Sequence, residues 1–115
     1  MPIRGRFYFT KTDNGNLIGE FSHNQCATIF TETAQLIDST GTPGEYPGTY
    51  HSAWLDDDGG NNTAAILAEL TITPTGPNDP RFDLNWRVIA PERQELYTGQ
   101  AMLANGMLIG DYESA

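Results

Sequence analysis

The amino-acid sequence predicts an all-β fold, a single antiparallel meander barrel of seven or eight strands over residues 1–115. Three observations carry this. Apolar residues recur with a period of two in almost every segment between turns, strong helix formers are scarce, and clusters of Gly, Pro, Asn and Asp interrupt the chain at short intervals. With 115 residues, 38% of them apolar, the chain can bury one modest core and is too short for two.

The alternation can be followed strand by strand. Gly5, Phe7 and Phe9 share one face while Arg6, Tyr8 and Thr10 take the other; Leu17, Gly19 and Phe21 then oppose Ile18, Glu20 and Ser22. Gly48, Tyr50, Ser52 and Trp54 alternate with Thr49, His51 and Ala53, and Ile66, Ala68, Leu70 and Ile72 with Leu67, Glu69, Thr71 and Thr73. The clearest segment sets Phe82, Leu84, Trp86 and Val88 against Arg81, Asp83, Asn85 and Arg87. Tyr97, Gly99, Ala101 and Leu103 follow, then Leu108, Gly110 and Tyr112. Residues 26–37 are less plain. Cys26, Ile29, Phe30, Ala34 and Ile37 fall near one helical stripe, yet Thr28, Thr31 and Thr33 with Ile and Phe favour a pleated surface, and the strand is preferred.

Loops are expected at 38–44, 56–62 and 74–80, where Gly permits positive φ, Pro pre-sets φ and Asx side chains bond their own backbone. Two hairpins share their wording. Residues 14–21 (NGNLIGEF) and 105–112 (NGMLIGDY) agree at five of eight positions, and Asn-Gly predicts a type I′ turn in each. Two hairpins solving one turn problem explain this better than a duplicated half. The first and last strands are then free to meet and close the sheet, which removes exposed edges. A homo-oligomer is a further possibility, and a barrel that does not close could pair strand to strand with a second copy.

Composition excludes several functions. Fifteen acidic against six basic side chains give a net charge of −9, unsuited to nucleic-acid backbones, whose binding depends on Lys and Arg. No apolar run is long enough to span a membrane as a helix, and the chain as given opens without a secretory stretch. Cys26 is the only cysteine, which excludes an internal disulfide and fits a reducing, cytoplasmic setting, with the thiol expected to be buried or half-buried. The acidic stretch 56–62 fails EF-hand spacing, since Gly60 and Leu67 occupy ligand positions. His23 is expected to face inward near a barrel end and His51 to face solvent, with no cluster of metal ligands around either. Glu20, Glu69, Asp83 and Asp111 alternate outward, so no catalytic carboxylate pair, metal site or cofactor is nominated. A pocket setting His23 or His51 beside a perturbed carboxylate would point instead to acid–base chemistry.

The run from Gly48-Thr49-Tyr50 and Trp54 through Ile66–Ile72, Phe82–Trp86 and Tyr97-Thr98-Gly99 to Leu108–Tyr112 resembles the calycin-type barrels, the group of avidin-like and lipocalin-like proteins. The likeness covers residues 44–113 and lies in glycine-aromatic strand starts, an inward Trp and successive hairpins. The lipocalin Gly-x-Trp near the N-terminus is absent, with Gly5-Arg6-Phe7 in its place, and no ligand set of the biotin binders maps onto the chain. The resemblance implies a small-molecule pocket.

The inner faces collect Phe7, Phe9, Phe21, Tyr50, Trp54, Phe82, Trp86, Tyr97 and Tyr112, enough rings to fill much of an eight-stranded barrel. Gly19, Gly99, Ala101 and Gly110 are expected to open space along one wall. The reading is a packed base and an aromatic mouth where Tyr50, Trp54, Trp86 and Tyr97 bind a small, partly apolar ligand without catalysis. The alternative is an acidic interaction or inhibitor module meeting a basic protein partner through its outer face.

Overall fold

The computed structural model describes residues 3–39, 45–57, 63–90 and 96–114. Eight strands follow one another: β1 (Arg4–Lys11), β2 (Leu17–His23), β3 (Cys26–Ser39), β4 (Gly48–Asp57), β5 (Thr63–Pro74), β6 (Arg81–Ala90), β7 (Leu96–Ala104) and β8 (Met107–Ser114). Each pairs antiparallel with the next, and β1 returns to pair with β8, giving a closed meander barrel. Phe7 lies opposite Gly110 and Phe9 opposite Leu108 across that seam.

Residues 26–37 belong to the longest strand, and the pairing shows why. Phe30, Glu32, Ala34 and Leu36 turn inward with a period of two, while Ile29 and Ile37 face solvent. The apparent helical stripe mixed residues from both faces of a strand. The side chain of Cys26 and the greater part of the loops at 38–44 and 56–62 lie outside the described residues.

The two Asn-Gly turns differ. Asn105 and Gly106 both have positive φ (54° and 81°) and link the paired Ala104 and Met107, the two-residue turn expected. At the first hairpin only Gly15 has positive φ (86°). There the Gly15 amide donates to the Thr12 carbonyl, and the Thr12 amide donates to the Asn16 carbonyl. This is a three-residue loop ending in a left-handed glycine, a geometry that asks nothing unusual of Asn14. The Asn16 side chain then accepts from the Leu36 amide, tying the loop to β3.

The core runs along the axis and is tightest at the end that holds the β1–β2, β3–β4, β5–β6 and β7–β8 connections. Phe9, Leu17, Tyr50, Leu70, Ile72, Leu84 and Leu108 are fully buried there. Tyr46 caps this end, donating to the Gly106 carbonyl at 2.8 Å with the Phe9 carbonyl as a second acceptor at 3.2 Å. The Tyr50 hydroxyl donates to the Tyr46 carbonyl, and the Lys11 ammonium lies over both rings, donating to the Tyr50 oxygen. All nine rings of the expected inner set belong to the core or pack against it.

The small residues do not open space as the sequence reading expected. A Cβ on Gly19 would lie 1.9 Å from the Tyr8 carbonyl oxygen, and one on Gly110 would lie 2.0 Å from that of Gln100. Gly99 is hemmed by the Asp111 carbonyl, Trp86 and Tyr112, and Ala101 is buried. Neighbouring backbone and rings occupy the volume those side chains leave. The glycines permit close approach of strands in a tightly curved wall.

Candidate functional site

The opposite end, where β1 begins and β8 ends, is an aromatic mouth. Trp54 on β4, Phe21 on β2, Tyr112 on β8 and Tyr97 on β7 form a closed circuit. Successive ring centroids are 5.9, 6.1, 6.1 and 6.5 Å apart and interplanar angles are 74–84°, so each ring stands nearly perpendicular to the next. Such edge-to-face contacts are the favourable geometry for π quadrupoles. All four rings are only partly buried. Beneath them Phe7 and Trp86 are buried and meet edge to face at 5.2 Å. The space these residues bound, with Ile3, His23 and Glu32, is a cavity of about 50 Å³ open at the mouth.

Glu32 is the chemically distinctive member. It lies opposite Trp54 in the β3–β4 register and is only 4% exposed. Its Oε2 accepts from the Trp86 Nε1–H at 2.9 Å, across the barrel, and from the buried Ser52 hydroxyl on β4. Its Oε1 has no hydrogen bond among the described residues. Burial pushes the carboxyl up to about 7, although the bonds from Ser52 and Trp86 act in the other direction. The carboxyl thus has one oxygen satisfied by two donors and the other without a hydrogen bond at the cavity.

Of the four residues nominated from sequence, the structure brings Trp54, Trp86 and Tyr97 together around this cavity. Tyr50 does not line it. Two residue pairs further along β4 toward the closed end, Tyr50 is fully buried and engaged with Tyr46 and Lys11, its phenol pushed up to about 12 by burial. Alternation put it on the correct face, but alternation says nothing of depth along the axis. Phe7, Phe21 and Tyr112 were in the inner set and join the lining. Glu32 was missed. Its available signal was position, two residues after Phe30 and two before Ala34 on one face of the preferred strand.

His23 lines the cavity, as its inward, end-of-strand placement suggested, and His51 is exposed. His23 and Glu32 therefore share a pocket, the juxtaposition associated above with acid–base chemistry. No hydrogen bond joins them, however: the His23 ring lies flat on Phe30 (5.4 Å, 7°), and its Nδ1 accepts from the Gln25 amide. Glu20, Glu69 and Asp83 each face outward and accept from Tyr8, Arg87 and Gln100. Among the described residues no group of three His, Cys, Asp or Glu side chains converges as a metal site.

Fold and site together define a closed eight-stranded meander barrel with one packed end and one aromatic mouth bearing a buried carboxyl. No protein-family model matches the chain, and neither a curated protein nor a solved structure matches it.

Proposed function

We propose that the protein is a non-catalytic binding protein that takes a small, partly apolar ligand, or the end of one, into the aromatic mouth. The observation that carries this reading is the circuit of four rings standing over a buried carboxyl with a free oxygen. Stacking and apolar burial supply affinity, and Glu32 Oε1 supplies the polar contact that orients the occupant. A calycin-type barrel with its ligand at one open end is the arrangement this reading adopts. The absence of any bond between His23 and Glu32 favours binding over proton transfer.

The test uses the protein's own fluorophores. Trp54 and Trp86 are its only tryptophans, and both line the cavity. Titration with a chemically broad panel of small ligands is expected to change tryptophan emission saturably for at least one class. A flat response across the panel removes the support for a ligand site.

A second reading, the acidic interaction module, is favoured by one surface feature. On the outer wall Met102, Ile109, Tyr8 and Glu20 lie in cross-strand register from β7 through β8 and β1 to β2. Met102 and Ile109 are about half exposed, which places apolar area beside an acid on a chain of net charge −9.

A further inference from the structure

We infer that the occupant of the mouth is positively charged: the site fits the head group of a small organic cation, an alkylated ammonium, held by Glu32 and walled by Trp54, Phe21, Tyr97 and Tyr112. The inference rests on the proposed ligand site and adds to it the charge of the ligand.

Three features point to a cation. The first is an unmet charge requirement. Glu32 is buried, its Oε1 has no hydrogen bond, and no Lys or Arg among the described residues lines the cavity, so the described wall holds an acid without a fixed countercharge. Among the described residues, the other titratable groups facing the same space are His23 from β2, Tyr97 from β7 and Tyr112 from β8. The His23 ring is stacked on Phe30, and its Nδ1 accepts from the Gln25 amide. The second is the enclosure. Four rings, each nearly perpendicular to the next, encircle the opening, and clustered π systems attract alkylated ammonium groups wherever their negative faces are presented. An anion would meet those faces and the carboxylate together. The third is size. A cavity of about 50 Å³ is roughly four times the volume needed by one water, which suits a head group of roughly four or five heavy atoms.

A cation binds the ionised form of Glu32 and displaces its proton. Binding is therefore coupled to proton release near and below neutral pH and is independent of pH well above it. A neutral ligand has no such coupling.

The experiment compares tetramethylammonium with the uncharged tert-butanol by tryptophan fluorescence and calorimetry on the full chain, with Glu32→Gln as the variant. Tetramethylammonium is expected to bind at least roughly tenfold tighter than tert-butanol at pH 8. Its affinity is expected to fall by up to about tenfold per pH unit below 7. Heats measured at pH 6 in buffers of different ionisation enthalpy are expected to show proton release. E32Q should lose most of the preference for the cation while still binding the alcohol. These pH and buffer effects are read on the native protein, so they stand if the variant fails to fold. Equal binding of both probes, without pH dependence or proton release, overturns the charge inference and leaves the aromatic site in place. Binding of neither probe overturns the charge inference, and the broader ligand panel then decides the site itself.

Discussion

At the scale of single residues, Glu32 sets the terms. A carboxyl raised from 4.5 to about 7 holds its proton more tightly in the folded chain than in the unfolded one. Between those values the native state binds more protons, so stability falls as pH rises, and above about 7 the loss is complete. The shift corresponds to a penalty on the order of 3 kcal/mol at alkaline pH. E32Q keeps an oxygen to accept from Trp86 and Ser52 but cannot ionise. Thermal melts from pH 4.5 to 8 should show native stability declining relative to E32Q, with the melting-temperature gap widening by on the order of 10 °C. A constant gap would mean that Glu32 does not titrate in that range. If the mouth binds cations, tetramethylammonium should recover part of the loss at pH 8, because ligands that bind only the folded state stabilise it.

At the scale of elements, the glycines of the last hairpin separate two roles that look identical in sequence. Gly106 sits in a turn with φ of +81° and open space around it, whereas Gly110, four residues on, is pressed against the Gln100 carbonyl. Alanine at 106 should cost about 1–2 kcal/mol, the penalty of a left-handed L-residue. Alanine at 110 should cost about 3 kcal/mol or more, because backbone must move to admit the methyl group. Urea unfolding of Gly106→Ala and Gly110→Ala measures both, and a milder effect at 110 than at 106 would contradict the packing described here. The same contrast explains the two Asn-Gly hairpins: identical dipeptides adopt different turns because loop length, three residues against two, is set by where the flanking strands pair.

At the scale of the whole molecule, closure leaves association to the outer wall and the mouth. On the outer surface Arg4, Arg81 and Arg87 pair with Glu113, Asp79 and Glu69. Exposed pairs of this kind contribute little to stability. If the row from Met102 to Glu20 serves a basic partner, capture from the native host should succeed at low salt and weaken at high salt, as screening of exposed charge requires. Capture should also weaken on Ile109→Lys. No partner at either salt level would remove the support for that reading.

Much of the fold was legible in the residues themselves. Period-two alternation placed Phe7, Phe9, Phe21, Trp54, Trp86 and Tyr112 on one side of the sheet because a strand side chain has only two directions to take. Scarce helix formers and recurrent turns set the class, and complementary terminal strands allowed the sheet to close. Other features depended on assembly in three dimensions. Depth along the barrel separates Tyr50, sealed at the packed end, from Trp54 at the mouth, although both occupy one face of β4. The approach of strands across the seam turned the inward glycines from open space into contact. Glu32 gained its character from Trp86, 54 positions away, and from Ser52, 20 positions away. Local sequence specifies the face of a strand a residue occupies. What that residue meets there depends on register, stagger and curvature, which are properties of the closed sheet as a whole.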